Sequence, residues 1–225
     1  MSRLAVFFLM ILAPALALIL ALIGLETLRT NLLGWFLLIF GIAYLAGGLI
    51  YYFIRRQPFW QSTFGNKAVG EEKGDRSFWA ILPGFLAVFF APPLEFMYWH
   101  AFPNPAWLQA TGLIMIVVSL ALRLWTRAHI KGAYSGHVEV QAEQKLIQSG
   151  PYRFLRHPGY AGFLLMALGL IAGYSSLIGL AGLVLLLLPG LVYRIGIEER
   201  LLAGKFGEEY AAYTSRSKKL IPGIW

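Results

Sequence analysis

Long apolar runs leave this chain few folds to adopt. Five of them, at 4–25, 32–54, 78–98, 107–125 and 160–193, hold few charged residues or none. A helix of about 20 apolar residues crosses the ~30 Å hydrocarbon core of a bilayer. Only 13% of the chain is charged, against about 25% in soluble domains. The sequence therefore predicts an all-α bundle of membrane-spanning helices.

The last run, at 160–193, is too long for one helix of ordinary tilt. Gly173-Tyr174-Ser175-Ser176 near its middle predicts a tight turn between two short helices, which brings the total to about six. The first run has 22 residues, more than the about 7–15 of a signal peptide's apolar core. We therefore expect it to be retained as a helix.

Glycine recurs every seven residues on the second run, at Gly34, Gly41 and Gly48. Small residues on one face of a membrane helix let a neighbouring helix approach closely. The spacing therefore predicts a close helix contact there.

Basic residues are distributed unevenly between the loops. With six helices, 18 of the 19 Lys and Arg residues fall on the side that holds both termini, and Arg29 alone falls on the other. Cytoplasmic loops carry such an excess, so both termini and the polar segments are expected in the cytoplasm. The net charge of +8 then needs no nucleic-acid partner, because the basic residues are scattered between apolar runs.

Several kinds of site find no support in the sequence. The chain has no cysteine, and therefore no disulfide or thiolate nucleophile. His129, His137 and His157 are 8 and 20 residues apart, a spacing that matches no metal site. The sequence contains neither G-x-G nor G-x-S-x-G, so a dinucleotide fingerprint and a hydrolase elbow are not predicted. Glu95, near the end of the third run, is expected to reach water.

Polar residues concentrate in two predicted cytoplasmic segments, 126–160 and 194–209. In the first, Gly150-Pro151 breaks any helix and predicts an extended arm followed by a turn. Pro158 suits the first turn of a helix, which places His157 at its N-terminus. Backbone N–H groups and the helix dipole favour an anion at that position.

Three neighbours of His157 receive other roles. Gly162 would let a bulky group lie against the new helix. Arg153 and Arg156 are read as basic anchors at the membrane edge.

The second segment begins where the last apolar run ends. Arg194 and Glu198 are four residues apart and share a helix face, and Glu199 follows. A helix is predicted over 198–215. Its apolar stripe is assigned mainly to the packing of a helix at the membrane surface; the stripe comprises Leu201, Leu202, Phe206, Tyr210 and Tyr213.

Together these segments resemble the superfamily of isoprenylcysteine carboxyl methyltransferases and phospholipid methyltransferases. The resemblance rests on "KLIQSGPYRFLRHPGYAG" (145–162), about 35 apolar residues, and "EERLLAGKFGEEYAAY" (198–213), and it covers about 130–225. It implies a catalytic region at 126–225 behind four N-terminal helices at 1–125. The cofactor pocket would form between the 126–160 segment and the C-terminal helix.

The resemblance implies S-adenosylmethionine as cofactor, held without a Rossmann domain. Arg194 would position the acceptor, and Glu199 or His157 would act as a base if the acceptor were a protonated amine. No metal is implied. The residues that would bind the cofactor are His137, Gln144, Lys145, Leu146, Ile147, Tyr152, His157, Pro158, Gly159, Tyr160 and Glu198.

Methyl transfer to a lipophilic acceptor that enters from the bilayer is the resulting hypothesis, with carboxyl O-methylation as its first form. The acceptor stays open, because Gly196 and Ile197 stand where the eukaryotic prenylcysteine enzymes have a longer acidic run. Alternatives are N-methylation of a phospholipid or small amine, an NADPH-dependent sterol-type reductase, and a non-enzymatic membrane protein. The sequence does not indicate an oligomeric state.

Overall fold

A computed structural model describes residues 3–55, 77–99, 102–130 and 146–221. Within these ranges the chain is almost entirely helical, as predicted. A 3-10 turn at Gly150–Arg153 precedes the fifth helix. The helices are α1 (Arg3–Thr27), α2 (Leu33–Arg55), α3 (Ser77–Tyr98), α4 (Ala106–Ile130), α5 (Pro158–Tyr174) and α6 (Leu177–Arg216).

Three of these helices are long and apolar enough to cross a membrane: Trp79–Tyr98, Ala106–Ile130 and Leu177–Arg216. The other three contribute shorter apolar helices, Pro14–Thr27, Leu33–Gly47 and Pro158–Tyr174. Large apolar side chains face outward, as on Leu124, which is 70% exposed. Such a surface suits lipid rather than water, and the protein is an integral, multi-pass membrane protein. The core lies between the helices, around Leu33, Leu37, Phe89, Ile116, Leu170 and Leu187.

Glycines bring two helix pairs into backbone contact. A Cβ atom on Gly34 would lie 2.5 Å from the backbone of Leu28, and one on Gly41 would lie 2.5 Å from the Ala17 carbonyl oxygen of α1. The predicted close contact is therefore confirmed for these two glycines, while the surroundings of Gly48 are outside the described part. On α4, a Cβ on Gly112 would lie 2.5 Å from the carbonyl oxygen of Gly169 on α5. Neither pair could pack this closely with larger residues.

The predicted turn between the last two helices is confirmed. Helix α5 ends at Tyr174, Ser175 adopts a left-handed conformation (φ 54°), and Ser176 is the N-cap of α6. The Ser176 hydroxyl accepts a hydrogen bond from the Gly179 N–H at 2.8 Å. A capped turn of this kind reverses the chain over two residues.

Glu95 does not reach water, contrary to the expectation from its place near the end of α3. Its side chain is buried and accepts hydrogen bonds from the Ser176 hydroxyl (2.5 Å) and from the N–H groups of Leu177 (3.3 Å) and Ile178 (2.9 Å). The first N–H groups of a helix have no partner within it. Glu95 supplies that partner for α6 from a neighbouring helix, which is why its burial is tolerated.

The sequence predicted a last membrane span followed by a separate helix at the membrane surface. The structure has one long helix, α6, in place of the two. The helix predicted over 198–215 is present, and it runs on directly from the last span. A wide, π-helical turn interrupts it at Leu183–Leu187. A kink occurs at Gly207, whose φ of 48° and ψ of −119° suit glycine alone. The wide turn affects the direction of the polar residues from Arg194 onward, and the kink affects the direction of those after Gly207.

Candidate active site

The candidate site forms where the start of α5 meets the charged part of α6, beyond the apolar stretch that ends at Tyr193. A short C-terminal segment lies along the residues before α5 and pairs with their backbone. The N–H groups of Arg156 and His157 donate to the carbonyl oxygens of Lys218 (2.7 Å) and Lys219 (3.1 Å), and the N–H of Lys218 donates to Phe154 (3.0 Å). The chain end therefore holds the segment that carries His157.

Glu199 is surrounded by cationic groups. Its Oε1 atom lies 2.9 Å from Arg156 Nε and 3.5 Å from His157 Nε2, and its Oε2 atom lies 3.1 Å from Lys219 Nζ. Glu198 Oε2 lies 3.4 Å from His157 Nδ1. We call Arg156, His157, Glu198, Glu199 and Lys219 the charge cluster. It joins α5, α6 and the C-terminal segment.

His157 is buried between two carboxylates. Burial and the two carboxylates have opposite effects on the pKa of its imidazole. Burial lowers the pKa of the imidazole, but the adjacent Glu198 and Glu199 raise it, and the net pKa lies above its ordinary value. At 3.4 and 3.5 Å, the two contacts are ion pairs rather than close hydrogen bonds. The cluster therefore favours a protonated His157.

Glu199 is held in its ionised form by the same contacts. Burial opposes ionisation, but His157, Lys219 and Arg156 lower the pKa of this carboxyl to about 2. A carboxylate with so low a pKa accepts a proton poorly at neutral pH. The geometry thus fits Glu199 as an anchor for three cations better than as a general base.

Tyr160 and Arg194 join α5 to α6 beside the cluster. The Nε–H of Arg194 donates a 2.7 Å hydrogen bond to the Tyr160 hydroxyl oxygen. The Tyr160 ring lies roughly parallel to the His157 ring, with 5.7 Å between centroids. Arg194 is also buried, at 8% exposure. A buried guanidinium fixed through Nε keeps its direction, and a guanidinium suits a carboxylate.

Two glycines of the segment serve close packing against α4. Gly150 has φ +60°, and a Cβ there would lie 2.5 Å from the His129 ring. At Gly162, a Cβ would lie 2.8 Å from the Arg123 side chain. The bulky group expected to lie against Gly162 is therefore Arg123, whose guanidinium is 6.0 Å from the centre of the Phe163 ring.

The extended arm before the site is tied to the end of α6. Leu146 and Ile147 have no regular secondary structure and are half-buried. The side-chain amide of Gln148 donates to Glu209 at 3.1 Å, and Arg216 donates to Gln148. The Tyr213 hydroxyl donates to the carbonyl oxygen of Tyr152 at 2.7 Å. The arm and the end of α6 are thus in direct contact.

Most of the predicted site residues in the described ranges therefore lie together. His157 is the N-cap of α5 and Pro158 is its first residue, as expected. Gly159 follows on the same turn, beside Thr126. The predicted residues His137, Gln144 and Lys145 lie outside the described residues.

Three contributors were not recognised in the sequence. Arg156 was taken for a membrane anchor, but its Nε contacts Glu199 and its Nη1 donates to the carbonyl oxygens of Thr214 (3.1 Å) and Ser217 (3.2 Å). Lys219 carried no signal at all. Tyr213 was assigned to packing, although its spacing of three from Tyr210 does place the two on one helix face. Arg153, by contrast, is exposed as expected of an anchor.

Sequence comparisons agree with the segments that form the site. The family described as phospholipid methyltransferase matches residues 107–209. A probable protein-S-isoprenylcysteine O-methyltransferase of Oryza sativa subsp. indica is 30% identical over 115 residues, which cover 50% of this chain and 60% of that protein. The cobalt-zinc-cadmium resistance protein CzcN of Cupriavidus metallidurans is 38% identical over 119 residues, covering 52% and 50%. The match thus spans between half and 60% of the length of these relatives.

A solved structure extends the likeness of fold to nearly the whole chain. The structure of a eukaryotic intramembrane Ras methyltransferase, an isoprenylcysteine carboxyl methyltransferase, superposes with a TM-score of 0.58 at 20% identity. The match covers 94% of this chain and 74% of that one. The matched family, the named relatives and this fold agree with the motifs at 145–162 and 198–213. The chain is thus similar to phospholipid methyltransferases over residues 107–209, and to an isoprenylcysteine carboxyl methyltransferase in its fold.

Proposed function

We propose that this protein is an S-adenosylmethionine-dependent methyltransferase that acts within the membrane on a lipophilic acceptor bearing a carboxylate. The observation that carries the proposal is the pairing of two sets of groups at the start of α5. The charge cluster lies at the start of α5, and the buried Tyr160–Arg194 pair lies next to the cluster.

The residues of the cluster suit the polar parts of the cofactor. Glu198 Oε2 is a buried acceptor without a close hydrogen bond among the described residues, and it would take a ribose hydroxyl or an amino group. His157, Pro158, Gly159 and Tyr160 would line the pocket. Leu146, Ile147 and Tyr152 would hold the adenosine end, with His137, Gln144 and Lys145 proposed by resemblance alone. When bound, S-adenosylmethionine would supply a methyl group activated by a sulfonium.

The protonation states favour a carboxylate acceptor over an amine. An amine that arrives protonated needs a base, but Glu199 has a pKa of about 2 and the pKa of His157 is raised. A carboxylate is already nucleophilic and needs only alignment and exclusion of water. Arg194, whose Nε is fixed by Tyr160, would orient it by its positive charge. These residues therefore support O-methylation best.

Cofactor binding is the first test. Purified wild-type protein in detergent should bind S-adenosylhomocysteine in calorimetry with micromolar affinity, and Glu198→Ala should weaken binding by about tenfold, as expected for a lost hydrogen bond to a charged group. Glu208→Ala is the matched control, because Glu208 is exposed on the same helix. Binding of NADPH in place of S-adenosylhomocysteine would refute the methyltransferase assignment.

The acceptor class is tested separately. Labelled S-adenosylmethionine should transfer its methyl group to prenylcysteine analogues or to a carboxylate-bearing component of total membrane lipid. Arg194→Lys should reduce kcat/KM for the carboxylate acceptor, because a lysine cannot reproduce a guanidinium fixed at Nε. Base-stable N-methyl products, with no base-labile methyl ester, would replace the carboxylate proposal with an amine one.

A further inference from the structure

Tyr210 carries a buried hydroxyl that finds no hydrogen-bond partner among the residues described at 3–55, 77–99, 102–130 and 146–221. The side chain is only 4% exposed. Buried polar groups almost always have a partner, so an exception requires an explanation. Tyr210 was assigned to packing on its apolar spacing, and packing alone does not explain the hydroxyl.

A kink at Gly207 separates Tyr210 from the residues of the charge cluster that lie on α6. The backbone at Gly207 leaves the helical conformation (φ 48°, ψ −119°), and α6 changes direction one turn before Tyr210. The next turn carries Tyr213, whose hydroxyl is bonded to the Tyr152 carbonyl. The two rings lie 6.1 Å apart between centroids. Tyr213 therefore ties the helix down, and Tyr210 is left beside it with an available donor.

The electrostatic surroundings indicate what that donor would meet. Tyr210 lies within range of Glu199, Arg156 and Glu198, and burial raises the pKa of its phenol, so the hydroxyl stays protonated and can donate. In the site as a whole, the three cationic side chains Arg156, Lys219 and Arg194 outnumber the two carboxylates Glu198 and Glu199. This excess of positive charge favours an anionic group in the site, and the protonated Tyr210 hydroxyl offers that group a donor.

We propose that Tyr210 is a cofactor-binding residue whose hydroxyl donates a hydrogen bond to the α-carboxylate of the methyl donor. The proposal rests on the proposed function, since it names a residue for the same cofactor. It assigns the amino-acid end of that cofactor to the side of the site nearest Gly207. The adenosine end then lies toward the arm at 146–152.

Two probes that differ in the amino-acid end test this directly. S-adenosylhomocysteine carries the α-carboxylate, and 5′-methylthioadenosine lacks the whole amino-acid end. Calorimetry on the full chain in detergent should show that Tyr210→Phe weakens binding of S-adenosylhomocysteine by about tenfold, the usual value for a hydrogen bond to a charged group. Binding of 5′-methylthioadenosine should change less than about twofold. Equal losses for the two probes, or no loss for either, would overturn the proposal.

Tyr213→Phe is the matched control, because it removes a hydroxyl one turn away whose partner is already in the protein. It should lower thermal stability and affect the two probes equally. Tyr210→Phe without ligand should unfold at the same temperature as the wild type or higher, because it removes a buried group that has no bond to lose. A lower unfolding temperature would show instead that the hydroxyl serves the fold. Wild-type protein that binds neither probe would refute the proposed function itself.

Discussion

At His157, burial and neighbouring charge act in opposite directions, and charge prevails. The pKa of the imidazole in the folded protein is raised by Glu198 and Glu199 above its ordinary value of 6.5. A raised pKa means that the folded state binds the proton more tightly than the unfolded state. The resulting stabilisation is fully present below about pH 6.5 and is lost as the pH rises through the folded-state pKa.

We therefore expect stability in detergent to fall as the pH rises above about 6.5, and His157→Asn to reduce this dependence. The measurement is the midpoint of thermal unfolding followed by circular dichroism at several pH values. Glu208→Gln, on the exposed face of α6, should keep the wild-type slope. An unchanged slope in His157→Asn would show that another group is responsible.

Glu95 is the second residue whose surroundings decide its role. Replacing it with Ala should remove three hydrogen bonds at the start of α6 and leave the N–H groups of Leu177 and Ile178 unsatisfied. We expect a loss of about 2–4 kcal/mol in the free energy of unfolding, since each buried unsatisfied group costs about 1–3 kcal/mol. Reversible unfolding in mixed detergent micelles measures it. Glu26→Ala, at an exposed site on α1, should change stability by no more than about 0.5 kcal/mol.

Among the elements, α6 depends on one backbone conformation. Gly207→Ala should destabilise the protein by about 1–3 kcal/mol, because alanine does not tolerate φ 48° with ψ −119°. A Cβ there would meet no neighbouring atom within 4 Å, so the effect comes from the backbone alone. Gly204→Ala is a close control, because its Cβ also meets nothing within 4 Å but its backbone is helical.

The two variants should differ in sign when unfolding is measured. Gly204→Ala should stabilise the protein by up to about 1 kcal/mol, the gain of alanine over glycine inside a helix. Gly207→Ala should also weaken cofactor binding, because a straightened α6 moves Tyr210 and Tyr213 from their places. Equal stability of the two variants would show that the kink is not needed.

At the scale of the whole molecule, the excess of basic residues predicts which side faces the cytoplasm. The chain has no cysteine, so single cysteines can be introduced without background. Ser149→Cys should react with a membrane-impermeant maleimide only from the cytoplasmic side, and Thr30→Cys only from the opposite side. Both positions are exposed. Labelling of Ser149→Cys on intact cells would overturn the predicted orientation.

The sequence predicted the helix bundle because membrane-spanning length and polarity are local properties that can be counted along the chain. It predicted the start of α5 for the same reason, from Pro158 and the turn before it. It could not show that Arg156 meets Glu199 or that Glu95 caps α6, because those partners are far apart in the chain and meet only after folding. Lys219 joins the site because the C-terminal segment pairs with the backbone before α5. Such backbone pairing does not depend on residue type, so the sequence gives no sign of it.

The wide turn at Leu183–Leu187 makes the length of α6 matter more than the identity of its apolar residues. In an α-helix, each residue rotates the chain by about 100°, and a π-helical turn holds one residue more than an α-helical turn. A single deletion there would turn Arg194, Glu198 and Glu199 away from Tyr160 and His157 while the helix itself remained intact. Substitutions among leucine, valine and isoleucine would leave the register unchanged. Substitutions among these apolar residues can therefore be tolerated, whereas an insertion or deletion in the same stretch would rotate the site residues of α6 away from those of α5.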